Sequence, residues 1–186
     1  NDLYMEDVVS GVKNGTKMIL PNNLYIWATM NTSDQSLFPI DSAFKRRWDW
    51  KYVPISNAKL GWVVCVNGIR YDWWSFVEEI NKEIGDATHS EDKKLGYFFC
   101  RAKNDDNTIS ADKFVGKVLF YIYNDVFRDY GFDRNIFKDE NDKENPVLMF
   151  KDFFMPDGKP REEKIKVLMD NLHVKTEAEV ASVSVV

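Results

Sequence analysis

The sequence predicts an α/β chain in two parts, an incomplete α/β core over residues 1–57 and a mainly α-helical domain with a small β-hairpin over residues 58–175. Three patterns support this prediction. A strand, a helix and another strand alternate in the first part; Asn67-Gly68 lies between apolar flanks; and apolar residues then recur at spacings of three and four. The remaining residues, 176–186, are polar and small, and we expect a flexible tail there.

The composition indicates a folded chain and excludes several classes of protein. Apolar residues make up 44% of the 186 residues, and no apolar run reaches the roughly 18 residues that a membrane span needs. The first residues carry no secretory signal pattern, so we expect a cytoplasmic protein that does not contact a membrane. A net charge of −5 argues against a DNA-binding surface on this chain itself. Cys65 and Cys100 lie in apolar contexts without metal-ligand spacing, so no metal site is expected.

The first part reads as one α/β unit. Residues 2–12 have helical spacing, and residues 24–30, LYIWATM, are apolar on both faces, as in a buried parallel strand. Pro39 suits the first turn of a helix over residues 40–47, and residues 48–55 alternate like a second strand. Two strands do not make a stable sheet, so this pattern predicts part of a larger α/β core.

The second part begins with a hairpin predicted over residues 62–73. Helical periodicity then predicts helices over residues 73–84, 110–130 and 161–172. The charged stretch at 138–145 is expected to be a mobile loop. The second part therefore reads as mainly helical, and the role of its hairpin stays open.

Side chains suited to phosphate chemistry surround the first predicted helix. Asn31, Thr32 and Asp34 follow the strand at its carboxyl end, where open α/β folds bind ligands. An amide at that position can orient a water, and the forked donors of Arg46 and Arg47 suit a phosphate. Each piece alone also has a simpler interpretation, a polar loop after a strand and cations that complement a helix end.

The stretches NLYIWATMNTSDQS and PIDSAFKRRWDW resemble the sensor-1 strand and the arginine-finger helix of McrB-like AAA+ NTPases, the motor subunits of 5-methylcytosine-specific DNA restriction systems. The resemblance implies that Asn31 is sensor 1, which positions the attacking water, and that Asn31 and Thr32 contact the nucleotide. It implies that Asp34 helps to hold that water or the adjacent loop. Arg46 or Arg47 would be the finger that enters the next subunit's site.

The same resemblance implies GTP or ATP with Mg²⁺ as cofactors of an intact parent protein. It implies a ring of identical subunits, expected to be a hexamer, with a nuclease subunit as partner and DNA bound through another domain. The family often has arginine where this chain has Gln35, so the choice between GTP and ATP stays open. No GxxxxGK[ST] loop and no strand with paired terminal acids occurs. We therefore expect a fragment that binds no cofactor and is inactive by itself.

Residues 91–99 and 117–130 resemble the helical lid of the same family more weakly. A chaperone-like MoxR-type ATPase is an alternative, since it shares the sensor and finger layout. A non-enzymatic helical interaction module is another, supported by the aromatic residues Trp62, Trp73 and Trp74. Nucleotide preference and solution state distinguish these alternatives.

Overall fold

The structure, a computed structural model, describes residues 2–20, 22–29, 41–103 and 105–183, with the side chains of 5–20, 22–29, 41–103 and 105–182. The chain divides into two compact units, Asn1–Asp41 and Ser42–Val186. The domain boundary that the sequence predicts lies after residue 57 instead, and it remains a prediction.

The first unit contains one helix, α1 (Asp2–Lys13), among its described residues. Gly15 follows it with φ +70°, a conformation that glycine adopts without strain in the turn after the helix. Residues 24–29 form no strand, and the side chains of Tyr25 and Trp27 are 82% and 88% exposed. The strand predicted over 24–30 is therefore absent from its described part. A strand forms only when its backbone pairs with another strand, and no described residue pairs with this segment.

The second unit begins with a short helix, α2 (Ser42–Lys45), which lies within the range predicted to be helical, residues 40–47. Residues 48–55 form no strand, contrary to the prediction, and Tyr52 and Val53 are 73% and 77% exposed. As with the earlier segment, no pairing partner lies among the described residues. The predicted α/β core therefore stays a prediction.

The predicted hairpin is confirmed. Strands β1 (Val63–Val66) and β2 (Ile69–Asp72) pair antiparallel, and both turn residues, Asn67 and Gly68, have positive φ, of 50° and 74°. Positive φ at both positions is the geometry that Asn-Gly favours between twisted strands. A third strand, β3 (Thr108–Ile109), pairs parallel to β1 and gives the order β2-β1-β3. Two residues are too few for periodicity to predict it.

Helix α3 (Trp73–Thr88) follows the hairpin directly and confirms the helix predicted over 73–84. The observed helix is one turn longer than the predicted one. The carboxylate of Asp72 caps its start by accepting a hydrogen bond from the Ser75 amide at 2.7 Å. His89 ends it in the left-handed conformation, with φ 52°. The apolar face is fully buried: Trp73, Phe76, Val77, Ile80 and Ile84.

The central helix, residues 111–126, forms most of the long helix predicted over 110–130. It begins as α4 (Ala111–Lys113) and continues through two π-helical segments, Phe114–Leu119 and Ile122–Val126. The bond from the Phe127 amide to the Ile122 carbonyl, at 2.9 Å, shows the wider turn. The core around this helix and α3 is mostly aromatic and aliphatic, and it continues into the single-turn helices Tyr97–Phe99, Asn135–Phe137 and Phe150–Phe153.

Two further helices end the described chain, α5 (Glu162–Asn171), as predicted, and α6 (Glu177–Val183). Helix α6 occupies residues 177–183 of the tail that we expected to be flexible over 176–186, and residues 184–186 lie outside the described residues. The Glu179 carboxylate accepts from the Thr176 amide at 2.6 Å, and Arg70 of β2 pairs with Glu177 at 2.6 Å. A cap and an ion pair to a distant strand thus order a segment of low apolar content.

Asn81 of α3 holds the segment before Tyr97 through its side-chain amide. Its nitrogen donates to the Leu95 carbonyl at 2.9 Å, and its oxygen accepts from the Leu95 amide at 2.7 Å. We expect Asn81→Ala to lower the free energy of unfolding by about 2 kcal/mol, because both backbone groups lose partners in a half-buried setting. Urea denaturation measures this loss. Lys82→Ala on the same helix removes only an exposed ion pair with Glu79, and a loss there as large as at Asn81 would contradict the assignment.

Candidate functional site

The residues predicted to face a nucleotide, Asn31, Thr32 and Asp34, lie outside the described residues, as does Gln35. Their roles as sensor 1, nucleotide contact and water-holding group stay predictions. The part of the predicted site that the structure does describe is the arginine pair.

Arg46 and Arg47 are both exposed, immediately after the short helix α2. The Arg46 Nε donates to the Ser42 carbonyl at 3.4 Å, and the Arg47 Nη1 donates to the Ala43 carbonyl at 3.3 Å. Among the described residues, neither guanidinium forms an ion pair with a carboxylate. Each arginine therefore keeps most of its N–H donors for an anion from outside the unit.

Aromatic contacts fold the turn that presents the two arginines. The rings of Phe44 and Trp48 lie 5.8 Å apart, and the Trp50 indole N–H donates to the Lys45 carbonyl at 3.0 Å. These contacts close the turn that carries the pair, and both arginines remain exposed on it. The two arginines have equivalent surroundings, so the structure does not distinguish which of them would be the finger.

The segment that resembles a lid, residues 91–99, is fixed to α3 at two points. Asn81 brackets the backbone of Leu95, and the buried indole of Trp73 donates to the Tyr97 carbonyl at 2.7 Å. Phe98 then lies 54% exposed against Trp62, with ring centroids 5.7 Å apart. The segment is thus held against α3 and presents an aromatic side chain to solvent.

An ion-pair network that the sequence analysis missed lies on α5. The Lys164 Nζ lies 2.7 Å from the Asp139 carboxylate, which is 2% exposed, and 2.9 Å from that of Asp142. Lys138 and Val147 form a β-bridge that closes the intervening charged loop. The loop expected to be mobile is therefore anchored at its base and at its centre. Its partners are more than twenty residues apart, so spacing along the chain carries no signal of the pairing.

The network shifts two pKa values in the directions that stabilise the charged pair. Burial lowers the pKa of Lys164, but hydrogen bonds to Asp139 and Asp142 outweigh burial, so the pKa rises above the ordinary 10.5. The hydrogen bond from Lys164, with a further one from the Asn145 amide, holds the pKa of Asp142 below the ordinary 3.8. Both groups are thus charged across the neutral range.

Two further titratable groups have pKa values that are shifted by burial. Burial, followed by the charge and hydrogen bond of Asp170, raises the pKa of Tyr71 to about 12. Burial also raises the pKa of the free thiol of Cys100, which makes it a poor nucleophile at neutral pH. No group of three or more potential metal ligands occurs in the described ranges. Across those same ranges, no helix has the length and apolar character needed to cross a membrane.

Taken together, the described residues define a mixed α/β protein with a small three-stranded sheet, a largely helical second unit and an exposed arginine pair. The chain is 36% identical over 126 residues to the type II restriction enzyme BsuMI component YdiS of Bacillus subtilis (strain 168). The match covers 62% of this chain and 36% of the relative, so the chain spans about a third of the relative's length. No family model and no solved structure matches the chain.

The ion-pair network predicts a defined pH dependence of stability. We expect Lys164→Met to lower the free energy of unfolding by about 3 kcal/mol near neutral pH, because it leaves the buried Asp139 unpaired. The lowered pKa of Asp142 means that its contribution is present above about pH 4 and is lost as pH falls through the folded pKa. The raised pKa of Lys164 means that its contribution is lost as pH rises above about 10.5.

Urea denaturation of both proteins between about pH 3 and pH 11 measures this difference. Lys166→Met on the same helix is the matched control, since its pair with Asp170 is half exposed and is expected to cost under about 1 kcal/mol. A difference between wild type and Lys164→Met that stays constant at both pH extremes would contradict the network.

Proposed function

We propose that this chain is the sensor and arginine-finger portion of a ring-forming AAA+ nucleoside triphosphatase that works in a DNA restriction system. The relative named as a restriction enzyme component supports the biological role. The motif resemblance around Asn31 and Arg46 supports the chemical role.

The observation that carries the chemical role is the exposure of Arg46 and Arg47 without an ion-pair partner among the described carboxylates. A trans-acting finger must reach a phosphate held by another subunit, so it has to leave its own subunit's surface with its donors available. A guanidinium placed there stabilises the charge that develops on a transferred phosphoryl group.

In this proposal the two ends of the motif act in different sites of the ring. Asn31 orients the attacking water and, with Thr32, contacts the nucleotide of its own subunit, while Asp34 helps to hold the water. Arg46 or Arg47 reaches the nucleotide of the neighbouring subunit. GTP or ATP with Mg²⁺ would supply the phosphoryl group in the intact protein, and a phosphate-cradling loop with its lysine is not among the motifs of this chain.

Exposed apolar segments support the view that the first part belongs to a larger sheet. Residues 24–29 have the composition of a buried strand and residues 48–55 alternate like a strand, yet Trp27 and Trp50 are 88% and 60% exposed. Apolar surface of this extent favours burial, at about 25 cal/mol for each Å² removed from water. In the proposed ring subunit, these segments pair with the strands of an AAA+ core.

The alternative of a helical interaction module was supported by the aromatic residues of the second part, and the burial of these residues weakens that support. Trp73 and Phe76 are fully buried in the core, and Trp62 and Trp74 are half-buried. Aromatic residues that fill a core do not need a partner to explain them. The MoxR-type alternative shares the sensor and finger layout, and the choice between the two rests on nucleotide preference and on the restriction-enzyme relative.

Alanine substitution of the arginines tests the proposed role in trans. In the intact protein, we expect Arg46→Ala or Arg47→Ala to lower the turnover of GTP or ATP by about 10³- to 10⁵-fold while nucleotide binding persists. Steady-state hydrolysis and equilibrium nucleotide binding measure the two effects separately. Wild-type turnover in both variants would rule out a finger at this position.

The control for this substitution is Lys51→Ala, which removes an exposed cation from the adjoining segment and is expected to leave turnover unchanged. Mixing either arginine variant with a subunit that cannot bind nucleotide but retains its arginines provides a second control. Hydrolysis should recover in the mixture, because the intact arginine then serves the neighbouring site. Absence of recovery would place the arginine in its own subunit's site.

Hydrogen exchange tests the proposed strands. We expect the amides of residues 24–29 and 48–55 to exchange fast in the isolated chain and slowly in the intact protein, because only there do they pair in a sheet. The amides of α3 provide the control, since they should be protected in both. Fast exchange of both segments in the intact protein would show that they are not strands of a core sheet.

A further inference from the structure

Exposed cations and aromatic rings alternate along one edge of the second unit. The Arg101 guanidinium lies over the ring of Phe98, 5.7 Å from its centroid, and the Lys113 Nζ donates to the Arg101 carbonyl at 2.6 Å. One helical turn further on, the Lys117 Nζ lies over the ring of Phe99 at 5.5 Å. These five residues form a continuous surface, the 98–117 strip.

The cations of the 98–117 strip have no carboxylate partners in the described part of the chain. Arg101, Lys113 and Lys117 are exposed, and none of them forms an ion pair there, although Lys82, Lys94, Arg134 and Lys164 all do. The exposed Asp112 is the sequence neighbour of Lys113, yet it forms no ion pair with any of the three.

The lysines of the strip also act on a buried group next to it. Lys113 and Lys117 both act electrostatically on the buried thiol of Cys100, where they oppose the effect of burial on its pKa. Two separate positions of the central helix therefore place positive charge near one buried group.

We propose that the 98–117 strip binds single-stranded nucleic acid. Arg101, Lys113 and Lys117 contact successive phosphates, and Phe98, which is 54% exposed, provides a surface on which a base stacks. Single-strand sites in proteins combine these two features, a basic track and exposed rings. The guanidinium beside Phe98 adds a second planar group against which a base can stack.

The ring distinguishes this occupant from an acidic peptide. An acidic peptide needs only the cations, whereas Phe98 presents apolar surface beside Arg101 and lies edge-on to Trp62, at 5.7 Å and 86°. A flat base can bury this ring surface while the phosphates attached to it contact the cations. The net charge of −5 led us to expect DNA contacts outside this chain, but net charge is an average, and the strip is a local exception.

Fluorescence anisotropy with a labelled oligothymidylate of about 20 nucleotides tests the proposal on the chain itself at low salt. We expect Phe98→Ala to weaken binding by about 5- to 100-fold, the loss of one stacked base. Combined substitution of Arg101, Lys113 and Lys117 by alanine should weaken binding further and reduce the slope of log Kd against log salt by about 2. Urea midpoints of the variants verify that each is folded.

Two controls match these variants. Phe120 is 50% exposed and packs against Phe150 without a cation over it, so Phe120→Ala should leave binding unchanged. Arg128→Ala removes an exposed cation elsewhere on the unit and should also have no effect. No binding at low salt, losses in the controls equal to those in the strip, or equally tight binding of a polyglutamate peptide would overturn the proposal. Each outcome is independent of nucleotide hydrolysis, so the proposed NTPase role stands or falls separately.

Discussion

The second unit depends on the burial of one helix face. Helix α3 starts directly after the last residue of the hairpin, and Trp73 stacks on Phe76 with ring centroids 5.6 Å apart. Phe76 then meets Phe114 of the central helix edge-on at 5.0 Å. The indole of Trp73 also donates to the Tyr97 carbonyl, so one side chain joins the hairpin, α3 and the segment that carries Phe98. The position of the 98–117 strip is a consequence of this packing.

Elements encoded by neighbouring residues could be predicted from the sequence, and elements fixed by distant partners could not. The Asn67-Gly68 turn and the apolar face of α3 are local signals, and both are confirmed. Helix α6 and the anchored loop around Asp139 depend on Arg70 and Lys164, which lie far away along the chain. Spacing says nothing about such pairs. The segments at 24–29 and 48–55 show the converse. Their apolar patterns are typical of strands, but a strand also needs a partner to pair with, and none lies among the described residues.

The candidate site divides in the same way. The arginine pair could be predicted from the motif, because Pro39 and the residues after it mark a helix that ends in Arg46 and Arg47. Both guanidiniums lie exposed and, among the described residues, bond to carbonyls of their own turn, which Phe44 and Trp48 close. The motif gives the chemistry that the arginines are suited to, and the geometry shows that their donors are available to a second molecule.

Charge pairing separates the cations of the second unit into two groups. Lys164, Arg134 and Arg70 each lie within 2.7 Å of a carboxylate, and these pairs hold loops and α6 to the core. The carboxylate partner already neutralises a paired cation. An added polyanion would therefore have to compete with that carboxylate for it. The arginines after α2 and the cations of the 98–117 strip lie outside this group. An acidic chain that neutralises its structural cations internally leaves its unpaired ones as distinct positive surfaces, and those surfaces are where an anionic partner gains most.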